Sequence, residues 1–365
     1  MKIAIFGAGQ LAMMMIQSDE DNEHEFLVID PSDNPPASNY ARHIKSEYTN
    51  LKTLEIVCNE CDVATIDFEN VDASAIKFLE DKISTYPNSK ALEICQNRFD
   101  EKNFFCKLNI PVTEFHYLSK DTDKKRINEI MEKSDGQYIA KTCRFGYDGK
   151  GQKRITKNNL TDIDLTRVND NPIIIEKVVN FKSEVSLICV KTIKGSNMFY
   201  PLVENYHNKG ILRTSSYPNN FESLQSQAEE IGNKVLNALN YVGVLVIEFF
   251  VDNENNLIAN EMAPRVHNSG HWTIEGSDIS QFKAHINAIT GYEDFKIEKF
   301  RPTIMVNIIS RHLSKDKIAS SENTRIYLHD YHKEERENRK LGHITIVFDN
   351  EKNFYREHQG YKDII

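Results

Sequence analysis

Gly243-Val-Leu-Val-Ile-Glu-Phe-Phe-Val-Asp252 and Leu257-Ile-Ala-Asn-Glu261, joined by Asn253-Glu-Asn-Asn256, read as two strands around a polar turn. Pairing Asp252 with Leu257 sets Phe250 opposite Ala259 and Glu248 opposite Glu261. Directly opposed residues lie about 4.5–5.5 Å apart on one sheet face, where like charges destabilise. Two acids on a face shared with Val246, Phe250, Leu257 and Ala259 therefore call for a counter-charge. Mg²⁺ suits them, since it takes one or two carboxylates and fills its shell with water and nucleotide phosphates. The competing reading slips the register by one and turns one glutamate to solvent.

The run that follows is dense in polar chemistry. Asn260-Glu-Met-Ala-Pro-Arg-Val-His-Asn-Ser-Gly-His-Trp272 places Arg265, His267, Asn268, Ser269 and His271 within seven residues. An arginine for an oxyanion, flanked by hydrogen-bond donors, is the composition of a catalytic loop. A merely solvated loop would hold more Lys and Glu. Upstream, Lys141 closes a short strand over 138–141 and precedes the loop Phe145-Gly-Tyr-Asp-Gly-Lys-Gly151. A lysine beside glycines suits a clamp on nucleotide phosphates, although the order of a Walker loop is absent. The bland alternative is a flexible turn. Ile173-Ile-Ile-Glu-Lys-Val-Val179, with Glu184 five residues on, offers a backbone edge for a base and an acid for a ribose hydroxyl. Alone it reads as an edge strand with a solvated charge pair.

Residues 1–97 alternate between strand and helix. Lys2-Ile-Ala-Ile-Phe6 is an apolar run ending at Gly7, the expected buried parallel strand. A Met-rich helix over 11–17, strands over 26–29 and 63–68, and a helix over 73–82 complete a βαβαβ pattern. This predicts an α/β fold with a doubly wound parallel sheet. Gly7-Ala-Gly9-Gln-Leu-Ala12 follows the first strand as G-x-G-x-x-A, and Asp30 stands where a dinucleotide site places its ribose acid. Alone this reads as NAD, yet any tightly packed βα turn asks for the same glycines. Near the C-terminus, a helix over 279–289 precedes short strands near 303–308 and 343–348, separated by charge-dense text.

Composition narrows the function classes. A chain of 365 residues, 40% hydrophobic, is long enough for two or three units at roughly 100–200 residues each. A net charge of −9 argues against nucleic acid as partner, because phosphate backbones call for a basic stripe. The chain opens on an apolar strand without the pattern of a signal segment. Its longest apolar stretch, 241–251, is about half the ~20 residues of a spanning helix and holds Glu248. A cytoplasmic protein without a membrane partner is the expectation. The six cysteines read as reduced and structural; Cys58 and Cys61 form one C-x-x-C with no second pair to complete a zinc site.

Together the pieces resemble the ATP-grasp superfamily: a lysine in the first subdomain, a lysine before a glycine loop, an E-x-x-V hinge, and two metal acids on paired strands. Gly9-Gln-Leu-Ala12, Phe68-Glu-Asn70, Tyr147-Asp-Gly-Lys-Gly-Gln152, Val203-Glu-Asn-x-His207, the run from Asn260 to Thr273 and Arg339-Lys-Leu-Gly-His343 carry the resemblance further. They resemble the signature of the 5-(carboxyamino)imidazole ribonucleotide synthase family, over nearly the whole chain. The resemblance implies an ATP-grasp fold with a doubly wound pre-ATP-grasp domain over 1–97. The ATP-grasp domain would span 98–297, with a mobile lid about 112–180, and a small β-rich domain would span 298–365.

It also implies a carbon–nitrogen ligase of purine biosynthesis, consuming ATP and bicarbonate to carboxylate aminoimidazole ribonucleotide through carboxyphosphate. ATP would be held by Arg98, Lys102, Lys141, Gly146, Tyr147, Asp148, Gly149, Lys150, Gly151, Gln152, Glu176, Lys177, Val178, Val179, Glu184, His207, Asn260 and Glu261. Glu248 and Glu261 would hold Mg²⁺, or Mn²⁺ in its place. Arg265 and His267 would orient bicarbonate and, with Lys141, act in catalysis. The ribonucleotide would contact Gln10, Glu69, Tyr147, Asp148, Asn268, Arg339 and Lys340. A homodimer is implied too. Cys143-Arg-Phe145 departs from the expected Arg-Arg-Gly before Gly146, which bears on lid closure. The rival readings are another ATP-grasp ligase (formate-dependent glycinamide ribonucleotide transformylase or biotin carboxylase type), a nicotinamide dehydrogenase, and a non-catalytic nucleotide-binding regulator.

Overall fold

Lys2–Phe6, with four of its five residues buried, is the centre of a five-stranded parallel sheet. The computed structural model describes residues 1–119, 127, 129–130, 132, 137–144, 146, 151–156, 172–313 and 322–362. Glu25–Asp30 and Arg42–Lys45 lie on one side of that strand, Val63–Ile66 and Ser84–Thr85 on the other. Order and direction are those of a doubly wound sheet. The sequence pattern finds three of these strands; Arg42–Lys45 and Ser84–Thr85 are too short and too polar to show a period. Helices start where short polar side chains free them from the chain: Asn50, Asp72, Asn88, Asn97 and Ser280 each accept a backbone N–H from the first turn.

A second sheet, antiparallel, runs Phe115–Leu118, Ile173–Lys177, Tyr138–Thr142, Gln152–Ile155. The third is the largest. From one edge it runs Leu257–Ala263, Gly243–Asp252, Phe181–Lys191, Val203–Asn208, Ile211–Tyr217, Thr303–Ile309, Lys340–Phe348, Thr324–Asp330, and Asn197–Phe199 pairs beside the third of these. The C-terminal strands thus continue the central sheet through the pairing of Ile211–Tyr217 with Thr303–Ile309. Thr324–Asp330 sits inside the stretch that reads only as charge-dense, because it is an edge strand with most side chains in water.

The parallel sheet divides its side chains between two cores. Ala4 and Phe6 share a core with Leu54, Val57 and Ile76; Ile3 and Ile5 share another with Met13 of the helix Gln10–Gln17 and with Val244, Phe282 and Trp272 of the central unit. His285 ties the two units. Its Nδ1 accepts the Val244 N–H at 3.0 Å, so its proton sits on Nε2, which donates to Thr65 Oγ1 at 2.9 Å. Burial drives this histidine down to about 4, and it stays neutral.

The turn after the first strand is shaped by one carboxylate. Gly7 has φ +100°, and a methyl group there would sit 1.6 Å from Asp67 Oδ1. Gly7→Ala is therefore expected to cost about 2–4 kcal/mol, from both backbone strain and the clash. Urea unfolding of the variant measures it; a loss under 1 kcal/mol, by the ordinary Gly-to-Ala balance, would show that the Asp67 seat is not rigid.

Candidate active site

The two glutamates do face each other, but not by the register that the sequence suggests. Val251 pairs with Leu257, Phe250 with Ile258 and Phe249 with Ala259, and the ladder then skips Asn260 so that Glu248 meets Glu261. Asn260 is a β-bulge. The assumed pairing of Asp252 with Leu257 is wrong by one residue, and the bulge restores the acid pair. A second correction follows. Leu257 and Ala259 belong to the opposite face, in the core with Phe249 and Val251, and are not neighbours of the acids.

Two further bulges of the central sheet bear on expected site residues. Arg213 is the extra residue where His207 meets Leu212, and Leu341 is the extra residue beside Lys340. Each re-aims the side chain next to it, the usual service of a bulge at the rim of a site.

Around the acids the charges alternate. Arg98, at the start of the helix Arg98–Lys107, donates to Glu261 at 2.6 Å and to the Gly146 carbonyl at 3.1 Å. Lys141 Nζ lies 2.6 Å from Glu176, and Lys102 Nζ lies 3.9 Å from the same carboxylate. Lys102 is wholly buried and spends its other donors on the carbonyls of Ala259 and Asn260, at 3.2 and 2.7 Å. It therefore pins the bulge. Glu184 and His207 form an ion pair at 2.7 Å, and His267 Nδ1 stands 3.7 Å from Glu248.

The protonation preferences follow from these contacts. Burial raises Glu248, and the charge of Glu261 opposite raises it further. Burial also acts on Glu261, but the Arg98 charge and hydrogen bond outweigh it and hold that carboxyl well below the usual range. Glu176 is likewise lowered: Lys141 and Lys102 overcome its burial. Burial and the nearby Arg265 keep His267 neutral. Burial opposes a charge on His207, yet Glu184 and Glu248 prevail and raise it.

The acids open onto a cleft of about 790 Å³, within the range of small-molecule sites. Gln10, Glu69, Arg98, Gly146, Glu248, Glu261, Arg265, His267, Asn268, Arg339 and Lys340 line it, so the expected substrate, bicarbonate and metal residues that are described share one wall system. Arg265 Nε pairs with Glu69 at 2.5 Å across the junction of the first two units. Lys141, Lys177, Glu176, Glu184, His207 and Asn260 are not among the residues that line this cleft. Val178 and Val179 follow the strand Ile173–Lys177, where the Val178 N–H donates to the Gln137 carbonyl at 3.1 Å. Gln152 starts the strand Gln152–Ile155, and Gly151 is the turn residue before it, with φ +72°. Tyr147, Asp148, Gly149 and Lys150 lie outside the described residues, as does Phe145.

Sequence reasoning missed part of the cleft. Lys333 and Arg336 add to its cationic side, and Lys333 Nζ donates to Gln10 Oε1. Burial and the neighbouring Arg339 bring Lys333 down to about 8. The signal was the cluster of bases from Lys333 to Lys340, which reads equally well as solvated surface. Asn307 was also missed: it exchanges amide hydrogen bonds with Asn268, at 3.0 and 2.7 Å, and fixes that side chain.

The glycine turn is not a dinucleotide seat. Asp67 Oδ2 accepts the Gly9 N–H at 2.7 Å and lies 3.4 Å from the Ala12 N–H, and Asp30 accepts the Ala8 N–H at 3.1 Å. The donors that would hold a pyrophosphate are taken by the protein's own carboxylates.

Three family models match the chain in succession: a ribonucleotide synthetase preATP-grasp domain over residues 1–96, an ATP-grasp domain over 103–282, and a phosphoribosylaminoimidazole carboxylase C-terminal domain over 303–357. A protein of Pseudomonas aeruginosa named N5-carboxyaminoimidazole ribonucleotide synthase is 36% identical over 346 residues, covering 95% of this chain and 94% of its own. The chain belongs to the N5-carboxyaminoimidazole ribonucleotide synthase family. The crystal structure of the Thermus thermophilus synthetase superposes with a TM-score of 0.90 at 35% identity, covering 100% of this chain and 98% of that one. An Aspergillus clavatus synthase solved with ADP and 5-aminoimidazole ribonucleotide gives 0.88 at 27% identity, covering 100% and 98%.

Cys143 opens the stretch that departs from the expected Arg-Arg-Gly. It is buried, its N–H donates to the Pro172 carbonyl at 2.8 Å, and its carbonyl accepts the Arg98 N–H at 2.9 Å. Burial pushes its thiol up to about 11, so it adds no charge to the site.

Arg98 is what the acid pair leans on. Arg98→Met is expected to destabilise the chain by about 1–3 kcal/mol, the lower part because solvent reaches Glu261 and screens it. Adding Glu261→Gln should recover most of the loss, since only one charge then remains. A double variant as unstable as the single one in urea unfolding would mean that packing, not charge, is what Arg98 supplies.

Proposed function

We propose that the chain joins bicarbonate to the amine of 5-aminoimidazole ribonucleotide at the expense of ATP, giving N5-carboxyaminoimidazole ribonucleotide, ADP and phosphate. The observation that carries this reading is Glu248 opposite Glu261, beside Arg98, Arg265 and His267, on a cleft whose far side is cationic. Lys141, Glu176 to Val179, Glu184, His207 and the loop from Gly146 to Gln152 are the nucleotide side. Gln10, Glu69, Asn268, Arg339 and Lys340, joined by Lys333, are the ribonucleotide side.

Mg²⁺ fits between them. Glu248 and Glu261 are opposed carboxylates, and the buried Oδ1 of Asn260 beside them has no hydrogen-bond partner. An ion held there, Mg²⁺ or Mn²⁺, would supply charge neutralisation for phosphoryl transfer. Arg98 then holds Glu261 ionised, and Lys141 brings positive charge to the phosphates.

Bicarbonate is a poor electrophile until one of its oxygens becomes a leaving group. In the reaction one bicarbonate oxygen attacks the γ-phosphorus of ATP, ADP departs, and carboxyphosphate forms. Arg265 offers its guanidinium to the bicarbonate oxygens, and neutral His267 contacts them without adding charge. The ribonucleotide's amine then attacks the carbon, in carboxyphosphate or in CO₂ released from it; phosphate leaves and the amine gives up a proton. A cytoplasmic location is read from the character of the sequence, and a homodimer from the family resemblance. Among the described residues, no helix is long and apolar enough to cross a membrane.

ADP release from purified protein, with Mg-ATP and bicarbonate, tests the reading. Strong stimulation by 5-aminoimidazole ribonucleotide is expected, and Glu248→Gln and Glu261→Gln should each lower it at least ~100-fold with the fold intact. Stimulation by a different amine only would keep the ligase chemistry and remove this substrate. Near-native rates in both variants would remove the metal assignment.

A further inference from the structure

Gln96 stands between the helices Ser89–Cys95 and Arg98–Lys107, and it is buried. Its side-chain amide touches two other segments. Nε2 donates to the carbonyls of Glu69 and Val71, at 2.8 and 2.7 Å. With both hydrogens so used, the amide has one orientation, and Oε1 accepts from Arg144 at 2.5 Å. Two residues on, Arg98 reaches the same segment, through the Cys143 and Gly146 carbonyls. One amide therefore joins the stretch that follows Lys141 to the loop whose Glu69 carboxylate holds Arg265.

We propose that Gln96 is a positioning residue that links the nucleotide site to the ribonucleotide site. The inference rests on the reading of the two sites given above. A nucleotide bound against Lys141 and Gly146 holds Arg144 against Oε1. That charged donor polarises the amide and strengthens its two bonds to the Glu69 loop, as hydrogen bonds in series do. Glu69 and Arg265 are then set for the amine and the bicarbonate. By reciprocity the ribonucleotide tightens nucleotide binding by the same factor. The link favours turnover when both substrates are present and so limits loss of the phosphorylated intermediate to water.

The test is calorimetric binding of 5-aminoimidazole ribonucleotide, with and without the Mg²⁺ complex of a non-hydrolysable ATP analogue. In the native protein the analogue should tighten ribonucleotide binding roughly 5- to 20-fold. In Gln96→Leu and in Arg144→Gln that factor should fall to within about twofold of unity, with no further change in the double variant. Affinity for the analogue alone should stay within about threefold of native. A Gln96 with only a structural role would weaken both ligands together and leave their ratio unchanged, which overturns the proposal, as does a native protein with no factor at all. Should Gln96→Leu fail to fold, Arg144→Gln decides, because that side chain is exposed. A native protein that binds no ribonucleotide overturns the substrate reading, and the linkage with it. Normal binding with an unchanged factor in the variants overturns the linkage alone.

Discussion

Two carboxylates meet across one rung of an antiparallel ladder, and much of the nearby structure serves to hold them there. Opposed like charges repel, and Glu248 is drawn into the protein, where a charge is less screened. Arg98 answers the charge of Glu261, and Lys102 fastens the bulged backbone between the two strands. The helix that carries both cations begins at the seam between the parallel sheet and the central sheet. The seam is thus where the acid pair, the nucleotide side and the ribonucleotide side converge.

The same constraint explains the departures from regular sheet. A regular ladder at the register of residues 257–259 would place Glu248 opposite Asn260, and Glu261 on the other face. One extra residue moves the second acid back. The bulges at Arg213 and Leu341 act on His207 and Lys340 in the same manner, so three strands lose a hydrogen-bonded rung beside the cleft. The rigid sheet on either side carries that local loss. The glycine turn shows the converse: Asp67 and Asp30 fill donors that might otherwise attract an anionic cofactor, and the turn becomes a support for Gln10.

Much of this was legible in the sequence. The apolar run Lys2–Phe6 and the paired acids announce their elements, since periodic burial leaves a periodic text. The doubly wound parallel sheet followed from the order of such runs. The register did not, because counting by twos cannot see a bulge; the acid pair was reached through a pairing that the structure replaces. Thr324–Asp330 was hidden for want of a buried face, and Lys333 because bases at a cleft and bases in solvent are spelled alike. Gln96 and Asn307 were invisible for a different reason. An amide's worth lies in which distant carbonyls it meets, and that is decided only by the fold.

The most direct measurement of the central claim follows the oxygen atoms. With ¹⁸O-labelled bicarbonate, ATP and 5-aminoimidazole ribonucleotide, the released phosphate is analysed for label by mass spectrometry. Phosphorylation of bicarbonate at this site predicts one bicarbonate oxygen in each phosphate formed. Unlabelled phosphate at full turnover would mean that water or the amine, not bicarbonate, receives the phosphoryl group, and would contradict the account.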